Sequence, residues 1–402
     1  MHRLWPGHCR CGRAALTSAG VVGSLPAGRV RSAHVAVALA FIALGAVDGV
    51  WVARLPALKH RLGLDSGQLG LVIFAVSVTA TVALPLAGWL SSHRGSRAPT
   101  GLGLAIASVG LTLVAFAPSF AVLLPAACIL GAGAGTLDVG ANAHGVAIEH
   151  RLGRPVLSAL HGAWSFGLLS GSAIAAIGAA FNLGPRVVFP AVAACVAGIA
   201  VYSVPKMLPG AEDSADDAAR FALPRGPLAL PAFLTFCCIF VEMSTMNWAA
   251  VFLSGPAHTS AALAAAGVVA FAIAMLFARL YGDRFVTRWG VGGLARTGGL
   301  LSFAGMLLVL ATRSPVPSLI GFACVGAGCA ALVPALFRIG AQAPGISSGA
   351  GVAAVATAGY MGGVINGPSI GFLARGVGLT GALGLVALAG LAIAVLGPRL
   401  PR

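Results

Sequence analysis

Apolar residues in this chain come in long unbroken blocks, not in the alternation or the single helical stripe of an element with one face in water. Twelve blocks approach or exceed the roughly 20 residues a helix needs to cross a bilayer. They run over 34–55, 68–90, 99–117, 120–142, 157–181, 186–205, 227–253, 261–281, 294–312, 316–338, 347–372 and 378–398. A backbone in hydrocarbon must satisfy its own hydrogen bonds, so each block predicts an α-helix. The fold class expected is an all-α membrane protein of twelve transmembrane helices. Polar connections are short except at 206–226, where Pro209, Pro224 and the acidic residues Glu212, Asp213, Asp216 and Asp217 mark a solvated linker. The expected organisation is a tail over 1–32, a six-helix bundle over 33–205, the linker 206–226 and a second six-helix bundle over 227–402.

Composition narrows the class. Of 402 residues 58% are hydrophobic and 9% charged, too few charges to cover a water-soluble surface and incompatible with a disordered chain. The 56 glycines follow no collagen period and suit helices that approach closely inside a membrane. The net charge of +15 would suggest nucleic acid in a soluble protein. Here the basic residues sit between apolar blocks, where they orient helices, so no nucleic-acid partner is expected. With the N-terminus in the cytoplasm, 19 Lys and Arg fall inside and six outside (Arg54, Lys59, Arg61, Arg186, Arg313, Arg375), as the positive-inside rule requires. Both termini are then cytoplasmic, in a bacterial inner membrane. Cys9 and Cys11, with His2 and His8, match no zinc spacing and predict no metal site.

An internal repeat underlies the two halves. Gly131-Ala132-Gly133 recurs as Gly326-Ala327-Gly328, an offset of 195, and Asp48 answers Glu242 at 194. Gly162, Gly167 and Gly171 answer Gly362, Gly367 and Gly371 at 200. Two parallel six-helix repeats describe one transporter architecture.

The segment Gly88-Trp89-Leu90-Ser91-Ser92-His93-Arg94-Gly95-Ser96-Arg97 resembles the G-x-L-a-D-r-x-G-r-r loop of the major facilitator superfamily, with Ser92 at its acidic position. A second loop, Arg279 to Arg284 followed by Arg288 and Gly290, keeps the acid as Asp283. The resemblance implies cytoplasmic gate loops at Gly88, Arg94, Gly95 and Arg97 and at Gly282, Asp283, Arg284 and Arg288, with a turn bearing topogenic arginines as the plainer reading. Further stretches are similar to the fucose-permease-like branch: Trp51 to Pro56, Asp138-Val139-Gly140-Ala141-Asn142, His161 to Gly167, and Glu242 followed by Asn247-Trp248. That branch includes proton-coupled sugar uptake with acids on the first and fourth helices.

Asp48, Asp138 and Glu242 are the acids well inside apolar blocks. A charge there costs about 2.5–3.5 kcal/mol on insertion scales, which makes each a candidate proton-coupling site. Asp138 shares a helical face with Asn142, near the cytoplasmic end of its block, and a structural hydrogen-bonded pair is the alternative. Asp48, near the middle of the first block, lies one turn from Trp51, an acid-and-aromatic pairing suited to a sugar or a cation. Glu242 and Asn247-Trp248 lie on different faces and line one cavity only if their helix is broken. His161, Trp164, Asn247, Trp248 and Tyr360 complete the candidate cavity, with packing as the alternative for each. Arg54 reads as a snorkelling residue at the outer end.

The function expected is secondary active transport of a small solute by alternating access, energised by a proton gradient, without cofactor or catalytic residues, by a monomer in a lipid bilayer. Sugar-like uptake is the first form and drug or natural-product efflux the second. A non-transporting receptor would leave the intramembrane acids without purpose, and no nucleophile-and-base pair marks an enzyme.

Overall fold

The computed structural model describes residues 27–154, 156–209 and 225–400. Its helices are α1 (Ala27–Ala53), α2 (Leu55–Leu62), α3 (Ser66–Arg94), α4 (Arg97–Phe116), α5 (Phe120–Leu152), α6 (Leu157–Ala180), α7 (Pro185–Ser203), α8 (Ala229–Ser254), α9 (Ala261–Thr312), α10 (Pro315–Cys329), α11 (Leu332–Ala341), α12 (Ser348–Ala382) and α13 (Gly384–Leu396). Cys9, Cys11, His2, His8 and the linker acids lie outside the described residues. The first helix starts at Ala27, so 27–32 belongs to a bundle helix and not to the expected tail.

Among the described residues, ten helical segments are long and apolar enough to cross a membrane, and a bent pair, Gly349–Ala382 with Gly384–Arg399, makes an eleventh. Twelve were expected. The difference lies in the last two blocks: the chain breaks helical geometry at Gly378 (φ 73°, ψ 164°), and the final block is shared between the end of α12 and α13.

The 52 residues of α9 would reach about 78 Å as one straight rod, over twice a bilayer's hydrocarbon thickness. They form two arms that meet at Gly290 (φ 67°, ψ 172°). A side chain at Gly282, before the break, would meet Ala331, and one at Gly298, after it, would meet Gly328. Farther from the break, Gly267 faces Phe322 and Gly305 faces Gly321. The arms therefore run antiparallel along α10.

The two halves repeat each other at an offset of 195 residues. Gly95, ending α3, has φ 75° and ψ 162°, nearly the conformation of Gly290. This region is open essentially to glycine alone. Gly131 lies against Val76 and Gly326 against Phe271, while Gly133 faces Ala107 and Gly328 faces Ser302. Gly167 touches the backbone of Ile42, and Gly362 touches that of Phe236. The partner of Gly167 is thus Gly362. The expected match to Gly367 at an offset of 200 is corrected, because Gly367 packs instead on Gly70 of α3.

The halves meet along two seams, α3 against α12 and α6 against α9. On the first, glycines bring backbones into contact: Gly70 lies against Gly367 and Gly371. Short α2 plugs the end of the N-terminal half. Its Leu55 and Leu58 are buried, and Arg61 donates to the carbonyls of Ala115 (2.5 Å) and Ala117 (3.1 Å), which the end of α4 leaves unpaired. Arg54 does not snorkel. It is 5% exposed and donates through Nη2 to the carbonyl of Leu183, because α2 folds over it.

Candidate functional site

Asp48 lies five residues before α1 ends, nearer that end than expected. Gly45, Gly49, Gly167 and Gly171 remove the side chains that would separate α1 from α6. Trp164 of α6 then reaches across and donates from Nε1 to Asp48 Oδ2 at 3.0 Å. The other carboxylate oxygen accepts nothing among the described residues.

Glu242 is buried on α8, and its Oε1 pairs with Arg279 Nη2 of α9 at 3.1 Å. The same guanidinium crosses the seam. Its Nη1 donates to Ser165 Oγ at 3.0 Å, and its Cζ lies 5.2 Å from the centroid of the Trp164 ring. A continuous polar path therefore runs from Glu242 through Arg279 to Trp164 and Asp48, joining one acid of each half. Arg279 supplies charge to Glu242, a hydrogen bond to Ser165 and a cation–π contact to Trp164 at once.

Asp138 accepts from Asn142 Nδ2 at 2.9 Å, and that nitrogen also reaches the backbone carbonyl of Asp138. Helix α5 continues to Leu152, so Asp138 lies 14 residues, about 21 Å, from its end and not near it. Asp138 is within electrostatic range of Asp48 and of Tyr360 on α12. Tyr360, 42% exposed, presents an apolar ring and a hydroxyl, and His161, also exposed, meets Phe41 edge-to-face at 5.4 Å.

Helix α8 is unbroken, so Glu242 and Asn247 face different neighbours. Asn247 Nδ2 donates to the Met243 carbonyl (2.9 Å) and to Asn366 Oδ1 of α12 (3.2 Å). Trp51 and Trp248 are 4% and 0% exposed and pack as core. Trp248 Nε1, Ser244 Oγ and Thr245 Oγ1 are buried on α8 without a hydrogen-bond partner among the described residues.

The segments expected to be gate loops are largely helical. Gly88 and Arg94 end α3, Gly95 makes the turn and Arg97 opens α4. Gly282, Arg284 and Arg288 lie in the first arm of α9, where the chain stays helical up to Gly290. The polar run there marks the end of the apolar block and not the end of the helix. Ser92 Oγ turns back to the Trp89 carbonyl at 2.8 Å, on its own helix. Arg284 lies over the Tyr281 ring at 5.3 Å, and Arg94 and Arg288 are exposed. The side chain of Asp283 lies outside the described residues. A described charge pair across the seam sits at the opposite end of the bundle. There Arg375 of α12 grips Asp65, the cap of α3, at 2.8 Å.

The Major Facilitator Superfamily family model matches residues 36–367. The chain belongs to the Major Facilitator Superfamily. Among relatives, an uncharacterized MFS-type transporter of Yersinia pestis is 32% identical over 364 residues, covering 90% of this chain and 94% of the relative. Membrane protein MosC of Rhizobium meliloti is 28% identical over 363 residues, covering 89% and 88%. The crystal structure of the nucleoside transporter NupG aligns with a TM-score of 0.70 at 14% identity, covering 91% of this chain and 98% of NupG. The protein is thus a multi-pass membrane transporter of the major facilitator fold, which implies a bilayer and a small-molecule substrate.

Two residues central to this major facilitator site escape sequence reasoning. Arg279 reads as one of several arginines that end an apolar block, and Asn366 lies in a glycine-rich stretch with no charge to mark it. In one dimension neither shows its partner, 114 residues away for Arg279 and Ser165 and 119 for Asn366 and Asn247.

Proposed function

We propose that this protein is a proton-coupled secondary transporter of a small, uncharged, hydroxyl-bearing solute. Both termini lie in the cytoplasm of a bacterial inner membrane, and the substrate cavity lies between the halves at Asp48, Trp164, Asp138, Tyr360, Glu242, Arg279 and Asn247. The observation that carries this reading is the Arg279 junction. One guanidinium neutralises Glu242 in one half and holds Ser165 and Trp164 in the other.

A carboxylate holds Arg279 far more strongly than a carboxylic acid does. Protonating Glu242 frees the guanidinium to move towards Asp48 or Asp138, which redistributes the ties across the α6–α9 seam. Trp164 shares both sites, so a change at Asp48 is transmitted to the same junction. The oxygens of the site that have no partner among the described residues are acceptors: Asp48 Oδ1, Asp138 Oδ2 and Glu242 Oε2. Acceptors with a few aromatic faces suit a solute that presents hydroxyl donors and a flat apolar side. With the termini cytoplasmic, the Asp65–Arg375 pair closes the outer end, which is the arrangement of a carrier shut towards the outside.

The test is transport in proteoliposomes with D-glucose, L-fucose, D-ribose and uridine, with and without an imposed pH gradient. Accumulation of one of them that collapses with the gradient supports the reading. Uptake indifferent to the gradient removes proton coupling. Proton-driven expulsion of lipophilic cations, with none of the four solutes moved, replaces uptake by efflux.

A further inference from the structure

The orientation of the Asn247 amide is fixed by chemistry. The Met243 carbonyl can only accept, so the Asn247 atom 2.9 Å from it is the nitrogen. That nitrogen also meets Asn366 Oδ1 at 3.2 Å, and the Asn366 orientation is fixed in turn, because its Nδ2 donates to the Gly363 carbonyl. Two backbone carbonyls thereby force two amides into one arrangement. Asn247 Oδ1 is left with no donor among the described residues. The atom is not among the occluded unpartnered ones, and the residue keeps 6% exposure where Asn366 keeps none.

The pair also sits at the seam. Asn366 precedes Gly367, whose neighbours are Gly70 and Ile73 of the other half. Asn247 lies five residues beyond Glu242 on the same unbroken helix. In the other half α1 and α6 are joined by a carboxylate and an indole; here the corresponding α8 and α12 are joined by two neutral amides. A neutral acceptor requires a donor from the solute but no positive charge.

We infer that Asn247 is a substrate-binding residue whose carbonyl oxygen accepts a hydrogen bond from a hydroxyl of the solute, and that Asn366 is the positioning residue that aims it. The inference rests on the hydroxyl-solute reading above. Without Asn366 the Asn247 amide keeps only its bond to the Met243 carbonyl on its own helix, and a hydroxyl can be met by an amide N–H at the wrong place instead of by the oxygen. Asparagine at 366 both accepts from Asn247 and anchors itself on Gly363. Aspartate there keeps the first of these functions.

The experiment is a thermal shift of the purified full chain against D-glucose, L-fucose, D-ribose and uridine, each compared with a singly deoxygenated derivative. Wild type is stabilised by at least one parent solute and by one of its deoxy derivatives about tenfold less effectively, the net worth of one hydrogen bond. Asn366→Val and Asn247→Leu bind the parent about tenfold more weakly and no longer distinguish it from that derivative. Asn366→Asp retains discrimination, because it keeps the acceptor that aims the Asn247 amide. If Asn366→Val does not fold, Asn247→Leu against wild type carries the same comparison. A wild type unmoved by every solute overturns the hydroxyl-solute reading itself. A wild type that binds, with Asn247→Leu or Asn366→Val discriminating as well as it does, overturns the inference alone. So does Asn366→Asp failing as badly as Asn366→Val, since that reports packing and not orientation.

Discussion

Asp65 and Arg375, 310 residues apart, share three hydrogen bonds of 2.8 to 3.0 Å and tie the first turn of α3 to α12. Asp65 is at the same time the cap of α3, accepting from the Gln68 backbone N–H at 2.9 Å. The carboxylate that starts one helix thus also holds the other half. Neutralising Arg375→Gln leaves the cap intact and removes the tie, whereas Asp65→Asn weakens both. The expected outcome is faster thiol labelling of a cysteine placed at Ser369 for Arg375→Gln, returned towards wild type by the charge exchange Asp65→Arg with Arg375→Asp. Unchanged labelling would show that the glycine contacts alone hold this end closed.

The same pair predicts a flat pH response. The Asp65 carboxyl is held below the ordinary aspartate value, first by the Gln68 backbone N–H; burial opposes this, and the Arg375 guanidinium adds to the depression. A depressed folded-state value means the contribution is complete above the ordinary aspartate pKa of about 3.9 and is lost only as pH falls through the depressed value. Labelling at Ser369→Cys should therefore not change between pH 5 and 8. A transition within that interval would put a proton switch at this end of the molecule.

Glu242 and Arg279 should behave as one unit. Removing either partner strands the other in a largely buried site, at a cost of about 2–3 kcal/mol. The double variant Glu242→Gln with Arg279→Gln should recover most of the thermal stability and none of the gradient-driven accumulation. Additive losses in the double-mutant cycle would mean the pair is not coupled.

Asp48→Asn resembles the protonated acid in shape and still meets Trp164, yet cannot release a proton. Counterflow exchange of preloaded solute should persist while uphill accumulation stops. Equal loss of both would make Asp48 a substrate ligand, and loss of neither would pass the coupling role to Glu242.

Gly290→Ala and Gly95→Ala should each cost about 1–3 kcal/mol, because both positions hold a backbone conformation that L side chains rarely adopt. Melting temperatures of the purified protein check this. Gly88→Ala, at a helical glycine with no neighbour within 4 Å, serves as the near-neutral control.

The helices themselves were largely legible, because hydrocarbon allows a long apolar block no other regular form. Helix ends were not. The polar run from Arg279 to Trp289 looks like a loop by composition, but Gly290 decides where the rod stops, and its φ is invisible in the sequence. The same applies to α5, which continues for ten residues past the end of its apolar block. The repeat could be read where the motif was unusual, as at Gly131 and Gly326. It failed at Gly167, because several glycines at four- to five-residue spacing give more than one plausible register. Asp48, Asp138 and Glu242 were found by the cost of placing charge in a bilayer. Arg279 and Asn366 were not, since their meaning depends on a partner from the opposite half or another helix.

The contact of Gly70 with Gly367 and Gly371 places bare backbone against bare backbone, with no side chain on any of the three residues and the Ile73 side chain packed beside them on Gly367. Where the three glycines touch, the two backbones can slide past one another with no Cβ to clear, so this stretch of the seam works as a bearing. A single methyl group is enough to jam it. Gly70→Ala should therefore act as a wedge that holds the halves apart at the Asp65 end, and would offer structural work a carrier arrested in one posture without any ligand.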